Sequence, residues 1–189
     1  MLVLTGSPRK NGITRRMAEL FIQAWHRHHP GAPVHVFSAY EINAQPCSHC
    51  GHCKTENACI YHDLDALDAA LRSADVLVIA APVYVLGFPA PFKSILDRMQ
   101  RYFEEKFTLK NPAPIPKRKE AVFLTAYGAD SEDGVTFMRE QLRISFRLMN
   151  ARLAALVAVP NTDTIPPDFE RLRRDFEELA HNLLAGEPK

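Results

Sequence analysis

A chain of 189 residues has the length of one domain, with room for a long loop. Its 47% hydrophobic and 24% charged content is ordinary for a globular protein. A formal net charge of +1 gives no basis for nucleic acid or an anionic membrane as partner. The opening MLVLTGSPRK lacks the basic-then-apolar pattern of an export signal. No apolar run approaches the roughly 20 residues of a spanning helix, so the chain is expected in the reducing cytoplasm.

Residues 2–5 (LVLT) form a short apolar run that stops at Gly6, the signature of a buried parallel strand. Ile13, Met17, Leu20, Phe21, Ala24 and Trp25 then recur at helical spacing until Pro30 and Gly31. The HRHH tetrad at 26–29 closes that helix and complements its dipole rather than a metal. Residues 34–37 read as a second strand. A cysteine-rich loop at about 44–62 follows, and then a helix with Leu64, Leu67, Leu71 and Ala74 on one face, for which Asp63 is the expected N-cap. Residues 76–82 are the strongest strand signal. Phe92, Ile95, Leu96, Met99 and Phe103 predict one helix. A proline-rich stretch at 110–119, whose KRK is expected to be solvated, leads into a fourth strand at 121–125.

A helix over about 135–150 carries Val135, Met138, Leu142, Phe146 and Met149 on one face and Phe137, Ile144 and Leu148 on another. Two apolar faces predict burial on both sides, one against a second subunit, as in a homodimer or homotetramer. A fifth strand at 153–159 and a helix over about 167–184 complete the pattern. Five strands alternating with five helices predict one doubly wound parallel sheet of order 2-1-3-4-5, in one domain spanning 1–189. Ligands of such sheets bind beyond the carboxyl ends of the strands. The loops after residues 5, 37, 82 and 125 therefore carry the expected site.

The first of these loops, TGSPRKNGIT at 5–14, offers hydroxyls at Ser7 and Thr14, an amide at Asn11 and a fixed cation at Arg9. Backbone N–H groups at a helix start would complete a phosphate cradle. It matches neither the Walker A pattern nor G-x-G-x-x-G. A capped turn, with Ser, Asn and Thr satisfying the helix start, is the plain alternative. The cysteines stand as C-x2-C-x2-C-x5-C at Cys47, Cys50, Cys53 and Cys59. That crowding argues for metal or redox chemistry rather than disulfide staples. Successive x2 intervals can wrap an inorganic core. Zinc remains open through His49, His52 and His62, and so do free or disulfide-linked thiols.

The segment GSPRKNGIT resembles the phosphate loop of the flavodoxin-like NAD(P)H-dependent FMN reductase superfamily. APVY at 81–84, with FKSILDR at 92–98, is similar to that superfamily's second loop and helix. The resemblance covers about residues 1–130. It implies a flavodoxin-like fold and FMN held at Ser7, Arg9, Asn11, Gly12, Ile13 and Thr14. It further implies that Pro82, Val83, Tyr84, Leu86 and Gly87 run beside the flavin ring, their backbone N–H groups reaching its carbonyl and nitrogen atoms. Tyr127 and Gly128, in the loop at 125–130, are expected to touch the ring. A Gly-Gly pair is frequent there in the family, and Tyr-Gly departs from it.

The cysteine motif resembles that of iron–sulfur flavoproteins, a branch of the superfamily, with all four positions matching [4Fe–4S] ligands. Relatives with similar loops include flavin reductases without a cluster. The implied activity is electron transfer from NAD(P)H, or from a ferredoxin-like carrier, through FMN to a small-molecule or protein acceptor. Two rivals are a cluster-free FMN or quinone reductase and a non-enzymatic flavin carrier. No side chain stands out as an acid–base catalyst, since the cofactor carries the chemistry.

Overall fold

Parity along the strands decides the architecture. In the computed structural model, which describes residues 1–128 and 131–184, β1 (Leu2–Thr5), β3 (Val76–Ala80) and β4 (Lys119–Ala126) are buried at every position. Leu2, Leu4, Leu77, Ile79, Ala121 and Phe123 join the core on one face of the sheet. Val3, Val76, Val78, Val122 and Leu124 join the core on the other. Strands buried on both faces are expected to be mostly apolar, and these are so apart from Thr5 and from Lys119, Glu120 and Thr125 in β4. β2 (His35–Ser38) and β5 (Ala151–Val159) form the edges and stay partly exposed. All pairings are parallel, and the order is β2-β1-β3-β4-β5. This is the doubly wound arrangement the alternating pattern predicts.

One face is covered by α1 (Ile13–His28) and α7 (Phe169–Asn182), which meet through Phe21 and Phe176, ring centroids 5.7 Å apart and edge to face. The other face is covered by α3 (Asp65–Ser73), α4 (Ala90–Asp97) and α6 (Asp133–Met149). The histidines at the end of α1 dock on α7: His28 lies 3.0 Å from Glu177, and His29 Nε2 lies 3.0 Å from the Ala180 carbonyl. A four-residue helix, α2 (Ala39–Ile42), and a 3-10 turn at His52–Lys54 carry no periodicity long enough to read from sequence.

Three expectations need correction. The helix drawn through Phe92 and Phe103 is two helices, α4 and α5 (Gln100–Phe107). Tighter i→i−3 bonds, Met99 to Leu96 and Tyr102 to Met99, shift the phase at the break. Tyr102 is thereby buried, and Phe103 is left 41% exposed. Asp63 does not cap α3, which starts after Leu64. Its carboxylate instead accepts from the Gln45 N–H at 2.7 Å and pairs with Arg98 at 3.0 Å. The KRK segment is not all solvated, because Lys119 opens β4 and is fully buried. Its Nζ donates to the Lys117 carbonyl at 2.6 Å, while Lys117 reaches the Ser73 carbonyl and Asp75.

The second apolar face of α6 is exposed in the single chain, with Phe137 at 55% and Ile144 at 59%. Among the described residues no helix is long and apolar enough to cross a membrane.

Candidate functional site

Gly6 sets the entrance to the site. A Cβ there would stand 2.8 Å from both the Ala81 Cβ and the Phe92 ring, so only glycine lets the chain leave β1 this close to β3 and α4. The loop then turns into α1, whose N-cap Gly12 provides no side-chain hydrogen bond and whose first turn holds no acid. The capped-turn alternative is thus not what forms. Ser7 Oγ instead accepts from the Arg9 N–H at 3.2 Å, which leaves the helix start without a side-chain cap.

Loops from four strands converge on an open cleft of about 350 Å³ at the carboxyl edge of the sheet. The first loop contributes Ser7, Arg9, Asn11, Gly12, Ile13 and Thr14; the segment after β3 contributes Pro82, Val83 and Tyr84. Tyr127 and Gly128 stand opposite, and the final two residues of the loop expected at 125–130 lie outside the described residues. Tyr127 is buried. Its N–H donates to the Val159 carbonyl at 3.0 Å, and its carbonyl accepts from the Thr162 N–H at 3.1 Å. Gly128 presses on a side chain that sequence reading missed: a Cβ there would fall 2.0 Å from the Asp163 carboxylate. Thr162 and Asp163 line the cleft from the turn after β5. They belong to no motif, and the strand-end rule applied to the fifth strand would have flagged that turn.

Leu86 and Gly87 do not line the cleft. Residues 84–87 form a tight hairpin in which Tyr84 and Gly87 exchange both backbone bonds, at 2.8 and 2.9 Å. Val83 donates to the Ala126 carbonyl at 3.4 Å, and proline has no N–H. Of the ring donors implied for this segment, only the N–H groups of Val85 and Leu86 lack a partner among the described residues. Both have left-handed φ, 47° and 62°, and Val85 is fully exposed. A β-branched residue there is strained, and such strain gathers at ligand-binding segments.

The cleft fits a phosphorylated, flat, partly polar ligand. It offers an uncapped helix start and a cation at one end and aromatic and apolar walls at the other. FMN has that chemistry.

A second, small pocket of about 30 Å³ is lined by all four cysteines, and also by His49, His52, Arg98, Arg101 and Glu104. Left-handed backbone at His49 and Gly51 folds the loop back on itself. Cys47 and Cys50 are exposed, whereas Cys53 and Cys59 are half-buried. Burial, with the Glu104 carboxylate nearby, pushes the Cys53 thiol up from its usual range. His62 turns away to Asp65, 2.8 Å distant. Among the described residues no three His, Cys, Asp or Glu side chains close on the spacing of one metal ion. Four cysteines that share a pocket wall with two arginines suit an anionic inorganic core.

A sheet wound in this order, with its cleft at the switch between strands, defines a flavodoxin-like α/β protein. Residues 1–164 match the model of the NADPH-dependent FMN reductase family, to which the chain belongs. An iron–sulfur flavoprotein of Methanosarcina thermophila is 29% identical over 109 residues, which cover 57% of this chain and 56% of that protein. The chain therefore spans little more than half of that relative. An FMN-dependent NADH:quinone oxidoreductase of Pseudomonas putida is 30% identical over 201 aligned positions, 96% of this chain and 94% of that one. Among solved structures, an NAD(P)H:quinone oxidoreductase from Methanothermobacter marburgensis superposes with a TM-score of 0.71 over 96% of this chain and 97% of its own, at 20% identity.

Proposed function

We propose that this chain binds FMN in the cleft and passes electrons from NAD(P)H, or from a reduced ferredoxin-like carrier, to a quinone-like or protein acceptor. The observation that carries the reading is the convergence of the first loop, the segment after β3 and Tyr127–Gly128 on one cleft. The family match and the quinone reductase from Pseudomonas putida support it. Bound FMN supplies both one- and two-electron redox chemistry.

The chain's own residues bind and orient. Arg9 and the open N–H groups of α1 hold the phosphate, with Ser7 and Asn11 as neutral partners. Val83, Tyr84 and buried Tyr127 wall the ring and exclude water from one side. Val85 and Leu86 hold the remaining backbone donors of their hairpin.

The cysteine loop we assign to a [4Fe–4S] core held by Cys47, Cys50, Cys53 and Cys59, relaying single electrons between flavin and acceptor. Supporting this are the shared cavity, its arginine wall and the iron–sulfur relative. We further assign the protein to the cytoplasm as a homodimer or homotetramer joined through the exposed face of α6.

Anaerobic reduction tests the activity. FMN-loaded protein mixed with NADH or NADPH should bleach its flavin absorption at a rate that supports quinone turnover. Reduction by ferredoxin alone would make it a carrier. Iron and sulfide analysis of anaerobic protein tests the core: about four irons per chain are expected, and protein free of both after reconstitution would end that assignment. One zinc per chain would replace it with the smaller site.

A further inference from the structure

Arg98 sits at the C-cap of α4 and is only 3% exposed. Its Nη1 donates to the Gln45 carbonyl at 3.0 Å and its Nη2 to the Tyr61 carbonyl at 3.0 Å. Those two residues bracket every cysteine in the chain. The Asp63 carboxylate lies 3.0 Å from Nη1 and also takes the Gln45 N–H at 2.7 Å. The Tyr61 ring lies against the guanidinium, 5.1 Å from its carbon. One planar fork thus ties both ends of the loop together, a geometry that lysine cannot reproduce.

A buried cation is expensive, and a well-packed apolar side chain is often equally stable. Retaining arginine here therefore needs a reason beyond core stability. The side chain also lines the cysteine cavity, and its Nε is buried with no hydrogen-bond partner among the described residues. A fixed cation on the wall of the cysteine pocket complements the negative charge that thiols carry as ligands. Hydrogen bonds to sulfur and nearby charge are among the factors that set iron–sulfur potentials.

We propose that Arg98 is the positioning residue of the cysteine loop: it closes the loop's two ends and holds a cation against the thiols before any core is inserted. The closure stands on this chain's own bonds, whereas the charge role rests on the [4Fe–4S] reading. Arg98 ends the FKSILDR segment, but its tie to the cysteine loop is not legible there, because the partners are backbone carbonyls far away in the chain.

Trypsin tests the closure, since Lys54 is the single lysine or arginine between Pro46 and Tyr61 and is exposed. In FMN-loaded, iron-free protein, Arg98→Met should speed cleavage after Lys54 by about tenfold or more, with FMN content unchanged. That is the scale of losing charge-assisted bonds from a segment cut only when open. Arg98→Lys should remain fast, because it keeps the charge but loses the fork. If Arg98→Met fails to fold, Asp63→Ala carries the test, with smaller acceleration at the same bond. Cleavage at the wild-type rate in both variants, or cutting throughout the chain in both, overturns the closure.

In reconstituted protein, Arg98→Met should lower the iron–sulfur midpoint potential and Arg98→Lys should bring it back toward wild type. An unchanged potential removes the charge role. If wild type takes up no iron, the [4Fe–4S] reading falls while the trypsin result still decides the closure.

Discussion

Arg9 is exposed at the mouth of the cleft and belongs to neither hydrophobic core, so replacing it should leave the fold intact. Arg9→Ala should weaken FMN binding by roughly 1.5–3 kcal/mol, or about 10- to 150-fold in Kd, the range for a bond to a charged group. Titration of apo-protein with FMN measures it, and an unchanged Kd would move the phosphate elsewhere. Lys119 poses the opposite case. Burial first, and then repulsion from Lys117 and Arg72, draw its pKa down from 10.5 to about 8, against the attraction of Asp75. Between those two values the unfolded chain holds the proton that the folded chain has lost. Stability therefore rises with pH from about 8 to 10.5, and the burial penalty is fully felt below about 8. Lys119→Met should abolish this rise in the difference between the two proteins. Denaturant melts at about pH 7.5, 9 and 10, below and within that window, would reveal it. Taking the difference matters because Tyr102, whose pKa burial raises, titrates in both proteins.

At the scale of elements, α6 carries the oligomer argument. Ile144 and Phe137 are exposed, Leu148 is half-buried, and the opposite face packs Met138, Leu142 and Phe146 into the core. Changing Ile144 and Leu148 together to Glu should leave the sheet folded and yield monomers by light scattering. Retention of the wild-type mass would release α6 from that role. The same helix illustrates what sequence could reveal. Its length and period were plain, and so were the central strands, because full burial on both faces demands unbroken apolar runs. That the first loop lines the cleft was legible because its residues are consecutive and follow a strand end. The break at Met99 was hidden, since Phe103 continued the apolar stripe while a shift to i→i−3 bonds buried Tyr102 in its place. Lys119 read as loop because charge dominates the local pattern, and only tertiary packing reveals its burial. Leu86 and Gly87 fell beside the right segment, but their hairpin closes on itself, which no linear motif encodes. Thr162 and Asp163 reach the cleft through topology alone.

At the scale of the molecule, two cavities share one frame. The cleft draws on the carboxyl edge of the sheet, whereas the cysteine cavity draws on a loop and on α5, and no residue lines both. α4 spans the distance between them, starting just past the hairpin at 84–87 and ending at Arg98. Because Gln45 and Tyr61 are held by the same guanidinium, everything between them begins and ends at one point on the surface of the domain. A segment with coincident ends behaves as a cassette: it can be exchanged, shortened or removed without asking the sheet to rethread. Replacing residues 47–59 with a short Gly-Ser turn should therefore leave the circular dichroism spectrum and FMN affinity near wild type, while abolishing iron uptake. Loss of FMN binding in that variant would show that the loop is woven into the cleft. The cysteine loop is thus joined to the domain at a single seam, the Arg98 guanidinium.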